Sequence, residues 1–63
     1  MAKDEWTAYD PETDRLKTLV AETHLEAIRK AYEKGVKPQR TEDVRPRTCD
    51  RELLTQEEFE DLL

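Results

Sequence analysis

Asp10, Glu12 and Asp14 alternate along the chain as the first ligands of a calcium loop do. Such a loop also needs glycine at its sixth place, for a sharp turn, and glutamate at its twelfth, to close the shell. Those places hold Arg15 and Ala21. The three acids read better as carboxylates at a helix start, where free N–H groups and the helix dipole favour negative charge. His24 stands between Glu22 and Glu26, and neither acid is three or four residues away, so no Glu-x-x-His pair shares a helix face. It reads as a packed or partner-facing histidine.

Cys49 lies among arginines, whose charge favours the thiolate. A nucleophile also needs a base and an oxyanion site, and a chain of 63 residues has little room to bury either. The single glycine leaves no phosphate-cradling loop. No catalytic residue, metal site or cofactor is expected.

Lys37, Arg40, Arg45, Arg47 and Arg51 form a basic stretch that could contact phosphates or other anions. It contains no aromatic residue to stack on a base. The chain as a whole carries −5, against the usual footprint of a nucleic-acid binder. The charge is segregated: −3 over residues 1–33, +3 over 34–51 and −5 over 52–63. Such blocks are solvated surface or separate contact surfaces. The last block contains Phe59, Leu62 and Leu63 at i, i+3, i+4 spacing among Glu57, Glu58, Glu60 and Asp61. An acidic helix with that apolar face can dock in a hydrophobic groove with a basic rim, or fold back onto its own core.

The elements expected to carry these groups are helical, an all-α reading. Asp10 suits an N-cap, Pro11 the first helical position and Gly35 the position past the end, with Pro38 beyond. A helix from about 10 to 34 would run roughly 36 Å. On its wheel Leu16, Leu19, Val20, Leu25, Ile28 and Tyr32 spread over an arc near two-thirds of the circumference, wider than one small core needs. Residues 1–9 read as an arm anchored by Trp6 and Tyr9. Residues 36–50 read as an extended, mobile basic connector, because Pro38 and Pro46 interrupt it. A short amphipathic helix over about 51–63 starts at Thr55, with Glu58 completing a capping box and Leu54 and Phe59 a hydrophobic staple.

One cysteine closes no internal disulfide, and one histidine beside it fills no structural zinc site. A single core this small rarely supplies more than ~3–5 kcal/mol. A partner is therefore expected to cover the surplus apolar arc. The expected function is non-catalytic regulation of a larger protein by occlusion or stapling, in the manner of small phage inhibitors or antitoxins. Trp6, Tyr9, Leu16, Leu19, Val20, Leu25, Ile28, Tyr32, Phe59, Leu62 and Leu63 are its expected contacts. The alternative is a structural or accessory subunit that pairs with itself or fills a seam in an assembly. Nucleic-acid binding and DNA mimicry rank below both. No apolar run is long enough to span a membrane, the N-terminus lacks an apolar leader, and a lone thiol fits the cytoplasm.

Overall fold

Residues 4–21 form a β-hairpin, not an arm and the first half of a helix. The computed structural model describes residues 3–47 and 52–62. Strand β1 spans Asp4–Asp10 and strand β2 spans Arg15–Ala21. They pair antiparallel from Asp4 opposite Ala21 to Asp10 opposite Arg15. Helix α1 follows at His24–Glu33, then a 3-10 turn at Thr41–Asp43 and strand β3 at Val44–Pro46. Helix α2 occupies Gln56–Glu60. The sheet order is β2-β1-β3, antiparallel throughout. The all-α expectation is thus corrected: this is a small α/β fold, a three-stranded antiparallel sheet with one longer and one short helix.

The correction has a local cause. Asp10 does use its carboxylate as an N-cap would: Oδ1 accepts from the N–H groups of Glu12 at 2.9 Å and Thr13 at 3.4 Å. The same geometry opens an Asx turn. Pro11–Asp14 then complete one turn and stop, because Asp14 adopts left-handed φ of 57°, a conformation that aspartate tolerates better than most residues. The chain reverses, and Tyr9 Oη donates to Asp14 Oδ1 at 2.8 Å across the turn.

The true helix begins at Thr23, whose Oγ1 accepts from Glu26 N–H at 3.1 Å, while Glu26 Oε2 accepts from Glu22 N–H at 3.1 Å. Its end lies where the sequence expects it. Gly35 has φ of 83°, and Val36 N–H reaches Ala31 O at 2.9 Å while Gly35 N–H reaches Tyr32 O at 3.1 Å. These two bonds make a Schellman motif, which satisfies carbonyls the helix end would otherwise orphan.

One face of the sheet packs under α1. Trp6, Ala8, Leu19, Ala21, Ala27, Ile28, Ala31, Val36, Val44 and Phe59 form the core. Small residues on α1 and the strands let helix and sheet approach closely around the large ring of Trp6. That indole satisfies its one donor by bonding Ala21 O at 3.0 Å, as a buried Trp must. Each large apolar side chain buried here contributes about 1.5–3 kcal/mol.

The connector is also corrected. Val36 and Pro38 are buried. Buried Asp43 accepts from Gln39 N–H at 2.8 Å and Arg40 N–H at 2.9 Å, and Val44–Pro46 pair with β1. A strand of three residues shows too little alternation to be read from sequence. The final helix keeps its expected start, Thr55 Oγ1 accepting from Glu58 N–H at 3.2 Å, but covers only five residues.

Candidate functional site

The two edges of the sheet are unequal. Arg47 N–H donates to Glu5 O at 3.0 Å, so Glu5 turns its backbone polar groups toward β3. By alternation Asp4, Trp6, Ala8 and Asp10 turn theirs toward β2, where Ala21, Leu19, Lys17 and Arg15 answer. Leu16, Thr18 and Val20 therefore point N–H and C=O away from the sheet. Lys30 Nζ donates to the Val20 carbonyl at 2.6 Å, as that direction requires. Across the sheet, β3 has only three residues, and its last is Pro46, which has no N–H to offer. Short strands and proline are common ways of closing an edge; seven unbroken residues leave β2 open.

The outer face of the sheet carries Glu5, Thr7 and Tyr9 from β1, with Val20, Thr18 and Leu16 opposite them on β2. Leu16 is 65% exposed and Val20 45% exposed. They sit on one face of one edge strand, with half-buried Tyr9 beside Leu16. On the helix side, Thr18, Leu19, Val20, Lys30, Glu33 and Lys34 line a groove of ≈560 Å³ between β2 and α1. Arg15 and Lys17 share that side by strand parity, and both are exposed. Lys30 also pairs with Glu26 at 3.3 Å. Among the described residues neither Lys17 nor Lys34 has an ion-pair partner.

The expected contact residues scatter. Trp6, Leu19, Ile28 and Phe59 are core. Tyr9, Leu25 and Tyr32 are half-buried, and Tyr32 Oη donates to Pro38 O at 3.3 Å. Leu62 is 41% exposed beyond α2. Leu63, Arg51 and Cys49 lie outside the described residues. Among the described residues, only Leu16, Val20 and Tyr9 come together on an accessible face. The wide apolar arc of the expected helix is largely resolved by dividing it between β2, which places Leu19 inside and Leu16 and Val20 outside, and α1.

Among the described residues, Lys37, Arg40, Arg45 and Arg47 do not converge into one cationic surface. Arg40 meets Asp43 at 3.6 Å and Glu42 at 3.8 Å, and Arg47 meets Glu5 at 2.9 Å. Lys37 is exposed and gives its backbone N–H to Asp10 Oδ2 at 3.2 Å. Arg45 and Arg47 border a cleft of ≈480 Å³ with Thr7, Pro46 and Leu53, but Glu42 and Asp43 border it too.

Buried polar groups serve the fold. Burial alone would push the Asp10 carboxyl up, but N–H groups of Lys37, Glu12 and Thr13 outweigh it and hold it below the usual carboxylate range. His24 is buried and stacks on Trp6, centroids 5.4 Å apart and rings 6° from parallel. Burial pushes its pKa down, although nearby backbone of Val44 and Thr41 favours the charged ring. Nδ1 accepts from Leu54 N–H at 2.7 Å, while Nε2 makes no hydrogen bond of good geometry. Among the described residues no group of three His, Cys, Asp or Glu side chains could hold a metal ion, and no helix is long and apolar enough to cross a membrane.

The edge strand was missed from sequence, yet signals for it exist. Asp10-Pro11 between two stretches containing Thr, Tyr, Trp, Leu and Val marks a turn between strands, and Thr23-x-x-Glu26 marks a later helix start. Comparison of the chain with protein-family models, with curated proteins and with solved structures finds no match.

Proposed function

We propose that this protein is a non-catalytic binding protein that regulates a larger protein, and that it engages that protein through β2. One observation carries the reading: Leu16 and Val20 stand exposed on the same face of an edge strand whose outward hydrogen-bonding groups pair with no other strand among the described residues. An exposed edge is a template for pairing, and apolar residues beside it add buried area. Occlusion of a partner's own edge or groove is the mechanism this surface suits. A cytoplasmic setting goes with the reading, on the single cysteine.

A second reading, a structural subunit that pairs with itself, draws on the pattern of β2. A twofold pairing centred on Thr18 sets Leu16 opposite Val20 of a second copy.

Affinity capture from the native host, with the wild-type chain and with a Leu16→Asp/Val20→Asp variant, tests the main reading. A specific protein partner retained by the wild type and lost by the variant is expected. Unchanged circular dichroism would show that the variant still folds. A partner held equally by both, or by neither, overturns the reading.

A further inference from the structure

We infer that the β2 edge receives an extended acidic segment of a partner protein by strand addition, with apolar residues alternating with carboxylates. The inference rests on the binding role proposed above and specifies the chemistry of the partner.

The backbone defines the mode. Leu16, Thr18 and Val20 offer N–H and C=O groups at alternate residues along an open edge, the pattern an added strand needs. The two sides of that edge differ in chemistry. Toward the outer face stand Leu16 and Val20, both exposed. Toward the helix stand Arg15 and Lys17 from β2 with Lys30 from α1 and Lys34 at its C-cap. Glu26 and Glu33 are the acids set among them, and Glu26 is already paired with Lys30. This edge is therefore net positive in a chain of net charge −5. Because side chains of an added strand alternate between faces, one set meets Leu16 and Val20 while the other meets the lysines. Apolar residues suit the first set and carboxylates the second.

Lys30 makes the edge switchable. Its ammonium holds the Val20 carbonyl at 2.6 Å in the free protein. An incoming backbone N–H takes over that carbonyl, and the released ammonium turns to an incoming carboxylate. The cations also select. Lysine on an edge opposes indiscriminate strand pairing, and in the twofold pairing of two copies Lys17 lies diagonal to its symmetry mate, where like charges repel. An acidic strand reverses the sign of that term.

The probe is a short, capped, fluorescent peptide alternating valine with glutamate. Controls replace glutamate by lysine, or methylate the backbone nitrogen of alternate residues on either face register. Binding is read by anisotropy and by amide hydrogen exchange. The acidic peptide is expected to bind and to slow exchange at Leu16, Thr18 and Val20. Lys17→Glu/Lys34→Glu is expected to weaken it at least about tenfold, or ~1.4 kcal/mol, with unchanged circular dichroism, and added salt to weaken it further. Equal binding of the lysine peptide, or of peptides methylated in both registers, overturns the inference. So does a stable dimer whose β2 amides are protected without peptide; that result leaves β2 as a docking strand but makes a second copy its occupant. Absence of peptide binding by a monomer also overturns it, while affinity capture with the Leu16→Asp/Val20→Asp variant independently decides the wider binding role.

Discussion

His24 Nδ1 accepts the backbone N–H of Leu54 at 2.7 Å, across 30 residues of chain. Through this bond the start of α1 holds the segment that leads into α2. The acceptor role requires a neutral ring protonated at Nε2. Trp6 stacks on the ring face, and burial favours the neutral form.

Stability should therefore depend on the protonation of His24. Its pKa in the fold lies below the ordinary 6.5, so the unfolded chain takes up a proton first as pH falls. The contribution is fully present above about pH 6.5 and is lost as pH falls from there toward the depressed folded value. Urea denaturation at steps from about pH 8 to about pH 5 should show a falling midpoint. His24→Gln, which keeps a hydrogen-bond acceptor but does not titrate, should remove the part of that fall above the carboxylate range. A wild-type midpoint that is flat across this interval would refute the assignment.

Phe59 is completely buried, whereas Leu62 is 41% exposed. Phe59→Ala should cost about 3–5 kcal/mol, the usual range for deleting a core aromatic ring. Leu62→Ala should change stability by less than about 0.5 kcal/mol. Denaturation monitored by Trp6 fluorescence compares them. If Phe59→Ala unfolds at the wild-type midpoint, α2 does not belong to the core.

Asp10 joins the hairpin turn to the residues after α1, because its two oxygens accept from Glu12 and Thr13 on one side and Lys37 on the other. In Asp10→Ala the amides of all three should exchange faster together, and Asp10→Asn, which keeps one acceptor oxygen, should fall between. Faster exchange at Glu12 and Thr13 alone would separate the turn from the helix end. Since its carboxyl lies below the ordinary 3.8, its contribution holds above that pH and is lost as acid protonates the folded form.

Gly35 holds φ of 83°, and a Cβ there would meet only Arg15 Nη1 at 3.9 Å. Space is available, so the cost of Gly35→Ala is conformational, about 1–2 kcal/mol. Gly35→Asn should cost less, since asparagine visits this region more readily. Thermal melts of the three proteins give the order Gly, Asn, Ala; an alanine variant as stable as wild type would contradict a left-handed Gly35.

Signals confined to a few neighbouring residues were legible in the sequence. Gly35 terminates α1 because only its own backbone has to tolerate φ of 83°, and Thr55 starts α2 because its hydroxyl reaches an N–H three residues on. Net acidity and the separation of positive and negative blocks are plain counts. The hairpin was signalled only ambiguously, because Asp10-Pro11 opens a helix and a turn with the same hydrogen bonds. What distinguishes them is whether Arg15–Ala21 finds a strand to pair with, and Trp6 opposite Leu19 is a contact between residues far apart in the chain. Leu16, Leu19 and Val20 also share a helical stripe, so their spacing allows both answers. The candidate site follows the same division. Leu16, Val20 and Tyr9 were visible as apolar residues in want of cover, while Lys17, Lys30 and Lys34 gained meaning only when the hairpin and α1 packed together. Exposure, edge position and the sign of local charge belong to the tertiary structure, because each depends on which distant segment lies alongside.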